Sequence, residues 1–206
     1  LTPKDILVMT PDIEANAPYI TAIFGGNQDE RMKIPFSIAD RRALSESHII
    51  DVFLKIINLK GRRLEAPEIV DLLDNTAIQE KFGFTAKDID LILRWVNDTH
   101  VHWGRDKNHR QQIGLPAFGE GSWKSGIDRL LLGYALRGNE EKLFNDILPY
   151  DDIEGNETEI LGRFVEFLSC LFSSVDELEG EHTLAVWAVI LESLLARFFI
   201  EDQENQ

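Results

Sequence analysis

Cysteine is almost missing from this chain: Cys170 is the only one among 206 residues. An intrachain disulfide and a cysteine-rich metal site are both excluded, and a reducing cytoplasm is the expected compartment. Long apolar runs are missing as well. Stretches such as Leu194–Leu195 or 198–200 fall far below the roughly 20 residues that a membrane-spanning helix needs. No N-terminal segment has the basic, apolar, small-residue order of a signal peptide. Basic charge is scarce, and unevenly so. Residues 1–110 hold 15 Lys and Arg against 17 Asp and Glu, whereas residues 111–206 hold 6 against 19. An acidic half repels phosphate, so any contact with nucleic acid is expected in the first half. The plain reading of the acidic half is a solvated surface.

The motifs of several enzyme classes are also lacking. There is no G-x-x-x-x-G-K-[ST] loop to cradle a triphosphate, no G-x-S-x-G and no H-E-x-x-H. Residues 118–121 (FGEG) carry a G-x-G core, but they follow Pro116 in loop-like text rather than a strand. ATP hydrolysis and metalloprotease chemistry are therefore not expected from these residues.

What is present is a folded composition, with 44% hydrophobic and 28% charged residues. Residues 6–10 (ILVMT), ended by Pro11, read as a buried strand. Thr10 or Asp12 can cap a helix running to about Phe24, with Pro18 inside it and Gly25–Gly26–Asn27 to stop it. Residues 34–38 (IPFSI) read as a second strand. Strand, helix, strand is the opening of a βαβ-type unit, and two strands alone cannot make a stable sheet. The pattern turns helical from Ser47. Helices are expected from Ser47 with Ile49, Ile50, Phe53, Ile56 and Ile57 on one face, from Pro67 to Leu73, from Asn75 or Thr76 to Phe82–Gly83, and from Thr85. Thr85 with Asp88 resembles a capping box. Residues 100–121 read as a long structured connection, and Trp123 opens a helix stopped around Gly138. After an acidic loop at 145–158 come two long helices. The first carries Ile160, Phe164, Phe167, Leu168 and Leu171; the second carries Leu184, Trp187, Leu191, Leu194 and Phe198. The fold class is thus mainly α with a small α/β opening, divided into residues 1–46 and a helical domain at 47–206. Leu1 in place of Met, and the polar tail after the last helix, read as positions inside a longer protein.

Few side-chain groupings suggest chemistry. His100, His102 and His109 surround Trp103, but no acidic partner stands at a fixed spacing, and loop histidines around a packed tryptophan are the simpler account. Asp151, Asp152 and Glu154 read as a solvated loop rather than a general acid–base pair. Cys170 reads as a packed thiol. Three basic patches could meet phosphate: Arg41–Arg42, Lys60–Gly61–Arg62–Arg63, and Arg105–Asp106–Lys107 with Arg110. Arg41, Arg42, Arg62 and Arg63 are the nucleic-acid candidates, against ordinary surface charge. Trp95, Trp123 and Trp187 sit at periodic core positions; Trp103 does not.

Five blocks carry a resemblance. They are DILVMTPDIEANAPYI (5–20), IPFSIADRRALSES (34–47), WGRDKNHR (103–110), GLPAFGEGSWKSGIDRLLLGYAL (114–136) and ILPYDDIEG (147–155). In this order they resemble the RecC family, the gamma chain of exodeoxyribonuclease V. The resemblance implies a helicase-like, motor-derived domain that has lost its ATPase motifs, beginning in residues 1–46, with a helical domain inserted at 47–206. It implies beta (RecB-like) and alpha (RecD-like) partner subunits that use ATP and Mg²⁺, with no cofactor held by this segment. It also implies a role in unwinding and degrading double-strand DNA ends, with single strands guided through the whole assembly, and no membrane. No strand-reading residue is carried over to this chain. A protein-docking domain without a DNA role is the alternative.

Overall fold

The computed structural model describes residues 6–10, 13–25, 35–38, 48–136, 143–150, 152, 153, 155 and 157–200. Two compact units are separated, Leu1–Ser47 and His48–Gln206.

In the first unit, α1 spans Ile13–Gly25 and contains Pro18. Ala17 is buried, Asn16 Nδ2 donates to Thr10 Oγ1 at 3.1 Å, and the rings of Phe24 and Phe36 stand 5.7 Å apart. The two expected strands are not formed. Residues 6–10 and 35–38 lie in no ladder, and Ile6, Leu7, Val8 and Met9 are 65–85% exposed. An apolar run becomes a strand only when a neighbour accepts its backbone hydrogen bonds, and no such neighbour is present among the described residues. Asp12, Ile34 and Ser47, expected at element ends, lie outside the described residues.

In the second unit, local rules write the helix ends. Helix α2 spans His48–Ile57, α3 Ala66–Leu73, α4 Thr76–Phe82 and α5 Ala86–Asp98. Pro67 stands in the first turn of α3, where its missing N–H costs no helical bond. Asn75 caps α4 by accepting from Ala77 N, and Gly83 ends it in the left-handed region at φ 70°. The capping box at Thr85 and Asp88 is complete, each side chain bonding the other residue's backbone N–H. Helix α6 spans Lys107–Gln112, α7 Trp123–Ala135, α8 Glu157–Leu178 and α9 Leu184–Phe198. Ser122 and Thr183 cap α7 and α9 through their hydroxyls.

The core is built around α8, which packs against α2, α5, α7 and α9. Its inward residues Leu161, Phe164, Phe167, Leu168, Leu171, Val175 and Leu178 follow the helical period and are all buried. Each such side chain contributes roughly 1.5–3 kcal/mol on leaving water. Phe82 meets Phe167 edge-on at 5.2 Å, and Trp123 meets Phe164 at 6.3 Å. The last helix departs from expectation. Leu194 and Phe198 are buried, but Leu184 is 88% exposed, and Val186, Val189 and Leu195 are exposed with it. Leu184 begins the helix, before it reaches the α4–α8 surface that covers its C-terminal half.

Candidate nucleic-acid interface

Three chain segments meet at Trp103. Glu65 and Trp103 form an antiparallel bridge, Ala66 N donates to His102 O at 2.8 Å, and Gly104 N donates to Arg63 O at 2.8 Å. From the other side His102 N donates to Gly121 O at 2.9 Å, and Trp123 N donates to Gly104 O at 2.9 Å. Leu64 and His100 take left-handed backbone angles, φ 56° and 58°, which cost a non-glycine residue on the order of 1 kcal/mol or more. The Trp123 indole N–H donates to Leu64 O at 2.9 Å and helps to hold that turn.

Arg110 locks the connection from within. It is 1% exposed. Its Nη1 donates to the carbonyls of Phe118 and Glu120, each at 2.9 Å, and its Nη2 donates to Trp103 O at 2.8 Å. Its guanidinium stacks on two rings, 4.0 Å from the Trp103 centroid and 4.8 Å from that of Phe118. Gly104 makes room for it: a Cβ there would stand 2.9 Å from Arg110 Nε, and the backbone is left-handed at φ 81°. The sequence places Arg110 in a basic surface patch. Instead it is an internal tie, because loop 113–121 folds over it and needs donors for its carbonyls.

Arg105 and Asp106 of that patch are also engaged, whereas Lys107 is exposed. Arg105 pairs with Asp176 at 2.5 Å. Asp106 caps α6, accepting from Asn108 N and His109 N at 2.8 Å. His109 is buried, and burial, followed by the nearby Arg105 charge, pulls its pKa below the usual histidine range. Among the described residues no group of His, Cys, Asp and Glu could hold a metal ion. His100 and His102 are exposed, Asp152 is exposed, and Asp151 and Glu154 lie outside the described residues. Cys170 is a half-buried free thiol, and burial raises its pKa.

The nucleic-acid candidates divide. Arg41 and Arg42 lie outside the described residues. Arg62 is exposed but pairs with Glu68 at 2.8 Å. Arg63 is exposed, its guanidinium 5.8 Å from the Trp103 ring centroid, with no carboxylate partner among the described residues. Three residues earlier, Lys60 lies over Trp187 at 5.4 Å and donates to Gly180 O at 3.3 Å. Trp187 is half-buried rather than a full core residue. The turn between them is fixed by Gly61 N donating to Glu179 Oε1 at 3.1 Å. Most other cations of this unit are engaged: Lys55, Arg94, Arg105, Lys124, Arg163 and Arg197 each face a carboxylate. Sequence reasoning missed the pairing of Lys60 with Trp187 and of Arg63 with Trp103, because the members of each of these two pairs lie 40 or more residues apart. No helix among the described residues is long and apolar enough to cross a membrane.

This surface defines a class first: a helical domain whose basic turn is braced by tryptophans and whose internal arginine ties a loop. The family follows from comparison. The family model described as the RecBCD enzyme subunit RecC fourth domain matches residues 46–206. The RecC subunit of Escherichia coli (strain K12) is 32% identical over 206 residues, covering 100% of this chain and 18% of that protein. The RecC subunit of Mycolicibacterium smegmatis is 34% identical over 218 residues, covering 99% and 20%. That of Haemophilus influenzae is 32% identical over 205 residues, covering 100% and 18%. The chain belongs to the RecC family, and it spans about a fifth of the length of these relatives.

Proposed function

We propose that this chain is a non-catalytic scaffold segment of a RecC-type gamma subunit. It acts within an assembly that unwinds and degrades double-strand DNA ends for recombinational repair. The observation that carries the reading is the match of residues 46–206 to the RecC fourth domain. The relatives are named as subunits of a RecBCD enzyme, which supports beta and alpha partner subunits. In this reading ATP and Mg²⁺ are used by those partners rather than here. In this reading residues 1–46 begin a motor-derived domain without ATPase motifs, residues 47–206 are the helical domain set into it, and the assembly works in the bacterial cytoplasm. The test is affinity purification of the full-length chain from its own cells, followed by an assay of ATP-dependent degradation of linear duplex DNA. Two large co-purifying subunits and that activity are expected. A chain that comes alone and inert overturns the reading.

A docking role without DNA contact is the second reading. The exposed apolar residues of α9, Leu184, Val186, Val189 and Leu195, favour it. Co-purifying subunits whose binding is lost in Val189→Lys, without any change in DNA binding, would support it.

A further inference from the structure

We infer that the turn at residues 60–63 is a contact for the backbone of a single-stranded nucleic acid, with Arg63 as its central cation. This rests on the RecC reading and gives it a specific surface. Arg63 is exposed and has no carboxylate partner among the described residues, whereas its neighbour Arg62 is neutralised by Glu68 at 2.8 Å. It is not a loose side chain. The Trp103 ring lies 5.8 Å from its guanidinium carbon, and its carbonyl accepts from Gly104 N at 2.8 Å. Its charge is therefore held in place by an aromatic ring, which does not cancel it as a carboxylate would. A positioned planar fork matches the oxygens of a phosphodiester, and a half-buried indole beside it offers a base an aromatic edge.

The same turn repeats the arrangement at Lys60, which lies over Trp187 at 5.4 Å. Cations interleaved with aromatics are the pattern that single-stranded nucleic acid uses, since every nucleotide brings both a phosphate and a π-face. Charge around the turn sets the centre of the contact. The Glu179 carboxylate accepts from Gly61 N at 3.1 Å and lies on the Lys60 side, so it repels phosphate there. On the Arg63 side Glu68 is occupied by Arg62, and Glu65, two residues on, is exposed. The contact is centred on Arg63 because Arg62 is paired with Glu68 and Lys60 donates to Gly180 O.

The experiment measures binding of a fluorescent oligothymidylate to the full-length chain, without ATP, over a series of salt concentrations. Arg63→Gln is compared with Lys87→Gln, which removes an exposed cation from the start of α5. Thermal melting of each variant is recorded alongside. The expected result is an affinity loss of about tenfold for Arg63→Gln and a salt slope shallower by about 0.7, the value for one phosphate contact on a single strand. Lys87→Gln is expected to bind as the parent does. An equal loss in both variants, no loss in either, or a loss for Arg63→Gln that comes with a lower melting temperature would overturn the inference. Binding is read whether or not partner subunits co-purify. A chain that lacks partners yet loses binding in Arg63→Gln would remove the scaffold reading and leave this contact standing.

Discussion

The guanidinium of Arg110 lies 4.0 Å from the ring centroid of Trp103 while its Nη2 donates to the carbonyl of that same residue at 2.8 Å. One side chain thus fixes both the ring and the backbone of its neighbour. Because Nη1 also holds Phe118 O and Glu120 O, a single buried residue anchors both ends of the connection between α5 and α7.

Removing that anchor should be costly. Arg110→Ala leaves the carbonyls of Trp103, Phe118 and Glu120 without their donor and opens a cavity between two rings. A loss of about 3–5 kcal/mol is expected in urea unfolding. Arg110→Lys keeps the charge but lacks the planar fork, and should recover only part of it. A loss under about 1 kcal/mol for Arg110→Ala would show that the loop stands without the tie.

Gly133 on α7 lies directly under the backbone of Tyr150: a Cβ there would overlap the Tyr150 carbonyl. The crossing chain is held to α7 by Tyr150 N donating to Arg129 O at 2.9 Å and Arg129 Nε donating to Leu148 O at 3.0 Å. Gly133→Ala should therefore destabilise by about 3 kcal/mol through overpacking. Gly162 on α8 has open space where a methyl would stand, with nothing within 4 Å, so Gly162→Ala should stabilise by roughly 0.5–1 kcal/mol. Thermal melting of the two variants should move in opposite directions.

Tyr150 donates its hydroxyl to Asp98 Oδ2 at 2.8 Å, and burial, then the Asp98 carboxylate, pushes its pKa up to about 12. The folded state holds this proton to higher pH than the unfolded chain does. Its contribution is complete below about pH 10 and is lost as pH rises towards 12. Tyr150→Phe should cost about 1 kcal/mol at neutral pH and flatten the alkaline limb of the stability curve. An unchanged alkaline limb would remove Tyr150 as its source.

His109 acts at the other end of the pH scale. Burial, then Arg105, holds its folded pKa beneath the ordinary histidine value of 6.5. Its contribution is present above about pH 6.5 and is lost as pH falls through the lowered folded value. His109→Gln should make stability less dependent on pH across that window, read by urea midpoints at several pH values. A midpoint that falls equally in both proteins would place the acid sensitivity elsewhere.

The helix ends are legible in the sequence because they are local events. Asn75, Gly83, Thr85 and Asp88 act within a few residues of themselves, so spacing alone identifies the caps of α4 and α5. The inward stripe of α8 is legible for the same reason. Helix α6 is not, because its six residues, KNHRQQ, carry no apolar period and Asp106 is its main signal. The two strands are expected and not formed, since strand pairing depends on a distant neighbour that no local pattern can supply. For the candidate interface, the basic residues at 62 and 63 are visible as letters, but their difference is not: one meets Glu68 and the other meets Trp103.

Taken by itself, the sequence determined a mainly helical chain, the positions of most helix boundaries, the uneven charge of its two halves and its resemblance to the RecC family. These follow from short-range periodicity, capping chemistry and the order of matched blocks. Tertiary structure alone decided that Arg110 is an internal tie, that Arg63 is braced by an indole, and that the outer face of α9 stays uncovered. Each depends on which side chains meet across long stretches of chain, and burial and pairing are properties of that meeting rather than of any residue type.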